Sequence, residues 1–240
     1  MDNRKKKSRN RSKYIRLSYT LTSDSPIHPA LQKIIITPKN QILEGNDYNT
    51  SIIKVENHSG THVDAPAHFL KDGRPISRYD PDELVFSSPM VLDCHKNPDE
   101  LVTVEDVSVL MDNCCDCLLI RTGFGKYHDI DTETYVSKNP GISPEAINCL
   151  RGNLPNLACL GIDTVSMSRY GRKEEAIEVH QNAFNMVEGF GKPLLLVEDL
   201  DLKPLEGKLE LENVLIIPWQ VGGIDSAPCT VLATVNQSTK

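Results

Sequence analysis

The chain has 240 residues, of which 39 % are hydrophobic and 25 % are charged. That balance predicts a packed globular protein and excludes collagen-like, low-complexity and fully disordered classes. The formal net charge of −7 is uneven, because residues 1–13 carry seven Lys or Arg against one Asp. We expect a basic disordered tail over residues 1–13 and one domain over residues 14–240, whose acidic body should not bind nucleic acid.

Local patterns predict a mixed α/β chain. Strands are predicted at residues 14–21, 51–56, 86–93, 117–122, 158–163, 193–198, 214–219 and 230–235, and a short apolar run at 33–37 is followed by a predicted loop. Helices are predicted over residues 104–111, from the Ser143 cap to about residue 152, and over 174–187.

Membrane insertion is not expected, because no apolar run approaches the roughly 20 residues that a transmembrane helix needs. No apolar stretch follows the basic first residues, so no export signal is expected and a cytoplasmic location is favoured. The seven cysteines are then expected to be reduced thiols. Cys114, Cys115 and Cys117 precede an apolar run and are interpreted as structural thiols, with a metal or redox role as the alternative.

Three of the seven histidines and one aspartate fall within eleven positions, at His58, His62, Asp64 and His68. Imidazole nitrogens and carboxylate oxygens are the usual ligands of Zn²⁺, Mn²⁺ and related divalent ions. The segment follows a predicted strand directly, and strand ends are common places for catalytic groups. The spacing therefore predicts a metal site, since four such side chains so close together are hard to explain as isolated surface or core residues.

The sequence of residues 58–69, HSGTHVDAPAHF, resembles the signature His-x-Gly-Thr-His-x-Asp-x-Pro-x-His of the cyclase family of metal-dependent hydrolases. That family includes bacterial kynurenine formamidase and isatin hydrolase. Other segments resemble the family in the same order, namely IRLSYTLTSDSPIHP, LLIRTGF, PGISPEA, LGIDTVSM and LLLVEDLDL. The resemblance covers nearly the whole chain and implies the family's swivelling β/β/α fold, an α/β domain with a barrel-like mixed sheet.

The resemblance also implies a role for each matching residue. It assigns His58, His62 and Asp64 to a first metal, with Asp64 also reaching a second metal in binuclear members. His68 matches a histidine that gives and takes protons and lies close enough to touch the metal. The implied cofactor is Zn²⁺ or Mn²⁺, with one or two ions per chain.

A later histidine and glutamate complete the family's site, and His180 and Glu198 match them here. Family members usually separate these two residues by a shorter interval, whereas they are 18 positions apart in this chain. We expect a longer helix and its turn to absorb the difference, which would place both side chains within a few ångströms of Asp64. Glu188 is the alternative glutamate, although it does not follow a strand.

Two departures from the family concern the substrate. Kynurenine formamidases tend to place a Trp in the early Pro-rich loop, but the matching place here is near His28 and the only tryptophan is Trp219. Several members carry an Arg where this chain has Thr230. We therefore expect no special preference for N-formylkynurenine, whereas the metal chemistry is unaffected.

The sequence thus predicts a metal-dependent hydrolase of a small amide, formamide or cyclic amide, similar to the arylformamidase of tryptophan and kynurenine breakdown. Metal-bound water would attack the carbonyl while His68 carries the proton to the leaving nitrogen. The expected partners are a small amide or lactam substrate and further copies of the chain, as a dimer or a tetramer. The alternative is a non-catalytic metal- or ligand-binding protein that kept the fold.

Overall fold

The computed structural model describes residues 13–110, 114–207 and 210–235, so the predicted tail lies outside the described residues except for Lys13. The strands are β1 (Lys13–Arg16), β2 (Ile35–Asn40), β3 (Thr50–Lys54), β4 (His62–Asp64), β5 (Val85–Phe86), β6 (Pro89–Asp93), β7 (Leu101–Val102), β8 (Cys117–Arg121), β9 (Gly141–Ile142), β10 (Cys159–Ile162), β11 (Leu195–Glu198), β12 (Asn213–Pro218) and β13 (Ser226–Val235). The α-helices are α1 (Val104–Val107), α2 (Thr132–Ser137), α3 (Pro144–Asn153) and α4 (Lys173–Phe184). Short 3₁₀ helices span Ile42–Glu44, Pro66–His68, Ile76–Arg78, Pro81–Leu84, Ser108–Leu110, Phe124–Tyr127 and Lys203–Leu205.

Nine of the described strands form one mixed sheet that curls into a barrel-like layer. Its order is β5, β12, β13, β4, β11, β10, β8 and β6, with β1 paired to β13. The strands β6, β8, β10 and β11 run parallel, whereas β4 is antiparallel to both of its neighbours. The predicted α/β domain with a barrel-like mixed sheet is therefore confirmed.

The parallel strands are covered on both faces, and all five residues of β8 are buried. Successive side chains of a strand point to opposite faces, so β8 contributes to two apolar clusters. Leu119 joins one cluster with Val63 of β4. Leu118 joins the other, which contains Ile147 of α3 and Phe184 of α4. The sheet is consequently fixed between two cores, which gives the side chains at its strand ends defined positions.

Two helices follow their sequence signals. The Ser143 side chain accepts a hydrogen bond from the Ala146 N–H at 3.1 Å, and Pro144 is the first residue of α3, as the cap predicted. The helix α4 ends at Phe184, three residues before the end predicted at residue 187. Its buried face comprises Val179, His180, Ala183 and Phe184. None of the described helices is long and apolar enough to cross a membrane.

The predicted loop after Thr37 is partly wrong, because β2 and β3 pair there as an antiparallel ribbon. No residue between 35 and 54 is buried. The strand predicted at residues 51–56 corresponds to β3, whereas β2 has no buried face and so lacks the alternation of apolar and polar residues that indicates a strand.

All seven cysteines lie in the described part of the chain and are free thiols. Cys117 opens β8 and is buried, as is Cys115, whereas Cys114 is exposed. Burial raises the pKa of the Cys115 thiol to about 11. An uncharged, buried thiol is typical of a structural cysteine, which suits Cys115 and Cys117, whereas the exposed Cys114 lacks this burial.

Candidate metal centre

The strand β4 carries the centre of the histidine-rich segment into the middle of the sheet. It lies between β11 and β13, and its His62 and Asp64 are almost fully buried. Gly60 precedes it with a φ of +66°, a left-handed conformation that favours glycine. The Gly60 carbonyl accepts a hydrogen bond from His62 Nδ1 at 2.7 Å. That bond fixes the imidazole so that its Nε2 faces the neighbouring carboxylates.

Two elements distant in sequence bring further side chains to Asp64. The His180 Nδ1 donates a hydrogen bond to the Ala176 carbonyl of α4 at 2.7 Å. Its Nε2 is thereby left 3.6 Å from Glu198 Oε1 and 3.9 Å from Asp64 Oδ2. Register in the sheet places Glu198, the last residue of β11, opposite His62. The structure thus brings His180 and Glu198 to Asp64, whereas Glu188 is exposed beyond the end of α4.

Asp225 is a member of the site that the sequence analysis did not identify. Its Oδ2 accepts hydrogen bonds from His58 Nε2 at 2.9 Å and from His68 Nδ1 at 2.8 Å. The other nitrogen of His58, Nδ1, lies 3.1 Å from Asp64 Oδ1. Asp225 comes just before β13, which pairs with β4. Its only sequence signal is a carboxylate at the start of a strand, which is too common to single out.

The described residues contain two sets of potential metal ligands, and both include Asp64. One set is His58, Asp64 and His68, and the other is His62, Asp64 and Glu198. Within each set the ligand atoms lie within 4.8 Å of one another. Both Asp64 oxygens and the His62 Nε2 are buried without a hydrogen bond. Buried polar atoms in this state are unfavourable unless a cation or a donor pairs with them, so the arrangement suits a divalent ion.

Ion pairing controls the protonation of the cluster. Burial by itself would lower the pKa of His58, but Asp225 and Asp64 outweigh it and raise that pKa to about 10. Burial would raise the pKa of Asp64, yet His62 and His58 bring it below its usual value. Burial by itself would also lower the pKa of His62, but the carboxylates of Asp64 and Glu198 outweigh burial and raise it. Without metal, the carboxylates therefore favour the protonated forms of His58 and His62, and an incoming cation would displace those protons.

A cavity of about 280 Å³ opens onto these side chains. Its apolar walls include Leu31, Phe69 and Val165. The Phe69 ring stacks on His180, with centroids 4.4 Å apart at 19°. His28 of the early loop also lines the cavity, whereas Thr230 is exposed on β13 and does not. The cavity is therefore a small site in which apolar side chains stand beside several imidazoles.

The fold and the site define a metal-competent α/β domain, and the family is established by comparison. Residues 15–169 match the family model described as "Putative cyclase". The chain therefore belongs to the cyclase family, which confirms the resemblance seen in the histidine signature. The matched range contains the whole segment from His58 to His68, whereas His180, Glu198 and Asp225 lie beyond it.

Relatives include an uncharacterised protein of Haemophilus influenzae, which is 32 % identical over 124 residues, covering 50 % of this chain and 87 % of that protein. Isatin hydrolase A from Labrenzia aggregata, solved bound to benzyl benzoate, matches with a TM-score of 0.77 at 20 % identity over 94 % of both chains. An isatin hydrolase bound to the product analogue thioisatinate gives 0.78 at 18 % identity over 94 % of this chain and 93 % of that one. A structure titled as a predicted metal-dependent hydrolase from Bacillus stearothermophilus gives 0.69 at 19 % identity, over 93 % of this chain and 98 % of that one. At these identities the similarity of the solved structures establishes a shared fold.

Proposed function

We propose that this protein is a metal-dependent hydrolase that cleaves the carbon–nitrogen bond of a small amide, formamide or cyclic amide. The observation that carries the proposal is the buried Asp64, whose two oxygens have no hydrogen bond and face imidazole nitrogens. An ionised carboxylate in such a place is stable only when cations pair with it. Histidine, aspartate and glutamate together form a donor set that Zn²⁺ and Mn²⁺ both accept.

Six side chains are proposed to reach the metal: His58, His62, Asp64, His180 and Glu198 hold it, and His68 lies close enough to touch it. Because Asp64 belongs to both ligand sets, the same residues would serve one ion or two ions that share its carboxylate. When bound, the metal supplies Lewis-acid chemistry, since it lowers the pKa of water and polarises a carbonyl.

His68 is proposed as the proton shuttle. Its side chain is 26 % exposed, whereas those of His62 and His180, which also line the cavity, are 2 % and 5 % exposed. Its Nδ1 is hydrogen-bonded to Asp225, so its Nε2 remains to take a proton from the attacking water and return it to the leaving nitrogen. Asp225 fixes the tautomer and the orientation of this ring, because one carboxylate oxygen accepts from Nδ1.

The cavity favours a small substrate with an apolar or aromatic part. Its volume is close to the lower end of typical ligand pockets, and its apolar walls suit a single ring system. The ligands named in two related structures, thioisatinate and benzyl benzoate, are aromatic. Formanilides and isatin-like lactams are therefore the first substrates to test. N-formylkynurenine is included as well, although the early loop presents His28 where kynurenine formamidases place a Trp.

Metal analysis of the purified protein, combined with a panel of formanilides and lactams, tests the proposal. We expect bound Zn²⁺ or Mn²⁺, loss of turnover on chelation, and recovery when the ion is restored. A His95→Ala variant is the matched control, because this histidine is exposed and does not line the cavity. Bound metal without turnover of any panel member would favour the non-catalytic alternative. Failure to bind metal even after reconstitution would contradict the proposal altogether.

A further inference from the structure

The proposed metal ligand Glu198 is followed by a residue in an unusual backbone conformation. Asp199 has a φ of +56°, and among the described residues other than glycine only Asp99 also has a positive φ. Aspartate enters this left-handed region more readily than most residues, although glycine does so at lower cost. Such a conformation persists only where the surrounding structure holds it, so the contacts of Asp199 show what its position depends on.

Three hydrogen bonds hold Asp199, and each joins it to a different part of the chain. Its N–H donates to the Thr164 carbonyl, in the loop after β10, at 2.7 Å. Its own carbonyl accepts a bond from the Thr61 hydroxyl, just before β4, at 2.6 Å. Its Oδ1 accepts a bond from the Tyr135 hydroxyl of α2. Asp199 is 1 % exposed, so these bonds lie away from water, where hydrogen bonds are stronger.

The bond from Thr61 fixes the strand that carries His62. The Thr61 Oγ1 also accepts a hydrogen bond from the Tyr19 N–H at 3.0 Å, so its side chain is held from two sides. Sheet register pairs His62 with Glu198, and Asp199 is the first residue beyond that pair. A displacement of Asp199 would therefore move Thr61, and the imidazole of the adjacent His62 would move with it.

The bond to Thr164 fixes the loop that orients the Glu198 carboxylate. The Thr164 hydroxyl donates to the Ser166 carbonyl at 2.7 Å, which shapes this loop. The Met167 N–H donates to Glu198 Oε1 at 2.7 Å, and the Ser166 hydroxyl donates to the same oxygen at 3.3 Å. Asp199 consequently holds the backbone of Glu198 directly and its carboxylate through the loop.

We propose that Asp199 is a positioning residue of the metal centre, which sets the places of both Glu198 and His62. The inference rests on the proposed function, because it concerns how these two ligands are presented to a metal, whereas the positions themselves can be measured without one. Glycine would adopt the backbone conformation but has no side chain to accept the bond from Tyr135. Without that acceptor the Tyr135 hydroxyl would be buried without a partner, because Tyr135 is 0 % exposed.

Zinc affinity, measured by chelator competition, gives the first test. Asp199→Ala removes the acceptor and strains the left-handed backbone, so the Kd for Zn²⁺ should rise about 10–100-fold, the usual effect of losing a group that orients metal ligands. Asp199→Asn should bind zinc as wild type does, because asparagine tolerates this φ and keeps Oδ1 as an acceptor, and the replaced Oδ2 has no hydrogen bond to lose. Asp99→Ala is the matched control, since it makes the same substitution at a φ of +62° in an exposed turn outside the site.

A second variant approaches the same contact from its other end. Tyr135→Phe leaves residue 199 unchanged and removes only the hydroxyl that donates to its carboxylate. It should raise the Kd for Zn²⁺ in the same direction as Asp199→Ala, by a smaller factor. Circular dichroism checks that each variant is folded, and if Asp199→Ala is not, Tyr135→Phe decides alone. A wild-type Kd in every folded variant of the two would overturn the proposal.

Two spectra separate positioning from a general loss of stability. The visible absorption of Co²⁺ bound in place of Zn²⁺ depends on the arrangement of its ligands, so Asp199→Ala should change it and Asp199→Asn should not. An Asp199→Ala protein that is less stable but keeps the wild-type Co²⁺ spectrum would reject the positioning role.

The imidazole signals of the metal-free protein, measured by ¹H–¹⁵N NMR, test the positions without a metal. Asp199→Ala should shift the His62 signals, whereas Asp199→Asn and Asp99→Ala should leave them in place, with the exposed His95 as internal reference. Unchanged His62 signals in Asp199→Ala would contradict the inference. A His62 shift in a protein that binds no Zn²⁺ would leave the positioning by Asp199 standing while the proposed function fails.

Discussion

Replacing His62 by alanine tests the metal centre most directly, because this side chain lies beside both buried carboxylates. Its Nε2 is 3.5 Å from Asp64 Oδ1 and 3.3 Å from Glu198 Oε2. In His62→Ala the two carboxylates keep only His58 and His180 as cationic neighbours. We expect bound metal and activity to be lost together, while the fold is largely retained.

The expected loss of stability follows from the burial of these groups. Asp64 and Glu198 are 1 % and 7 % exposed, so solvent screens them little. Removing one partner of a buried ion pair costs about 3–5 kcal/mol. A chain of this size loses about 2–4 °C of Tm per kcal/mol, so the metal-free variant should melt about 6–20 °C below metal-free wild type. Metal at a hundred times its Kd should add about 2.7 kcal/mol to wild type and nothing to the variant.

Thermal unfolding with and without added metal measures both effects, and elemental analysis gives the metal content. His95→Ala is the control, because it removes an imidazole that is exposed and does not line the cavity. A His62→Ala protein with full metal occupancy would refute the assignment of His62 as a ligand. A variant as stable as wild type in the absence of metal would refute the reasoning on the buried pair.

The remaining predictions concern the shuttle, its partner, pH and substrate. His68→Ala should keep most of its metal but lose a factor of about 10²–10⁴ in kcat; an unchanged rate would place the base elsewhere. Asp225→Asn should weaken metal binding by about 10–100-fold in chelator competition, since it orients two imidazoles, whereas Asp24→Asn in an exposed loop should not. The pKa of His58 is raised to about 10 without metal, so protons compete below that pH and the apparent metal affinity should rise with pH up to about 10; a flat affinity from neutral pH upward would contradict this. Turnover of N-formylkynurenine should show no higher kcat/KM than that of simple formanilides, and a marked preference would restore tryptophan breakdown as the role.

Most of the candidate site could be predicted because its ligands are local in sequence. Four of the six side chains proposed to reach the metal lie in the segment from His58 to His68, where residue type and spacing alone indicate a metal site. His180 and Glu198 required the family resemblance, since nothing local connects a helix with a strand end. Asp225 escaped prediction because its contacts depend on the pairing of β13 with β4, which no local pattern specifies.

The fold shows the same division between local and non-local information. The start of α3 was predictable, because its Ser143 cap and Pro144 act within one turn of the chain. The barrel-like closure of the sheet depends on contacts between distant strands and came from the resemblance. A strand was predicted at residues 51–56, where β3 lies, but β2 and its pairing with β3 were missed, because β2 has no buried face and therefore no alternating pattern.

The place of β4 between β11 and β13 has a consequence for how the protein is made. The histidine-rich segment leaves the ribosome long before Glu198 and Asp225 are synthesised, and such non-local strand pairing forms slowly. A nascent chain therefore offers only a few imidazoles that no fold holds in place. Such imidazoles bind divalent ions in the general order of affinity of the first-row metals, without selection by geometry. The complete centre exists only after the sheet has closed around β4. Under the proposed function, the finished cavity would therefore choose among the cellular metals, and ion loading would be the last stage of biogenesis.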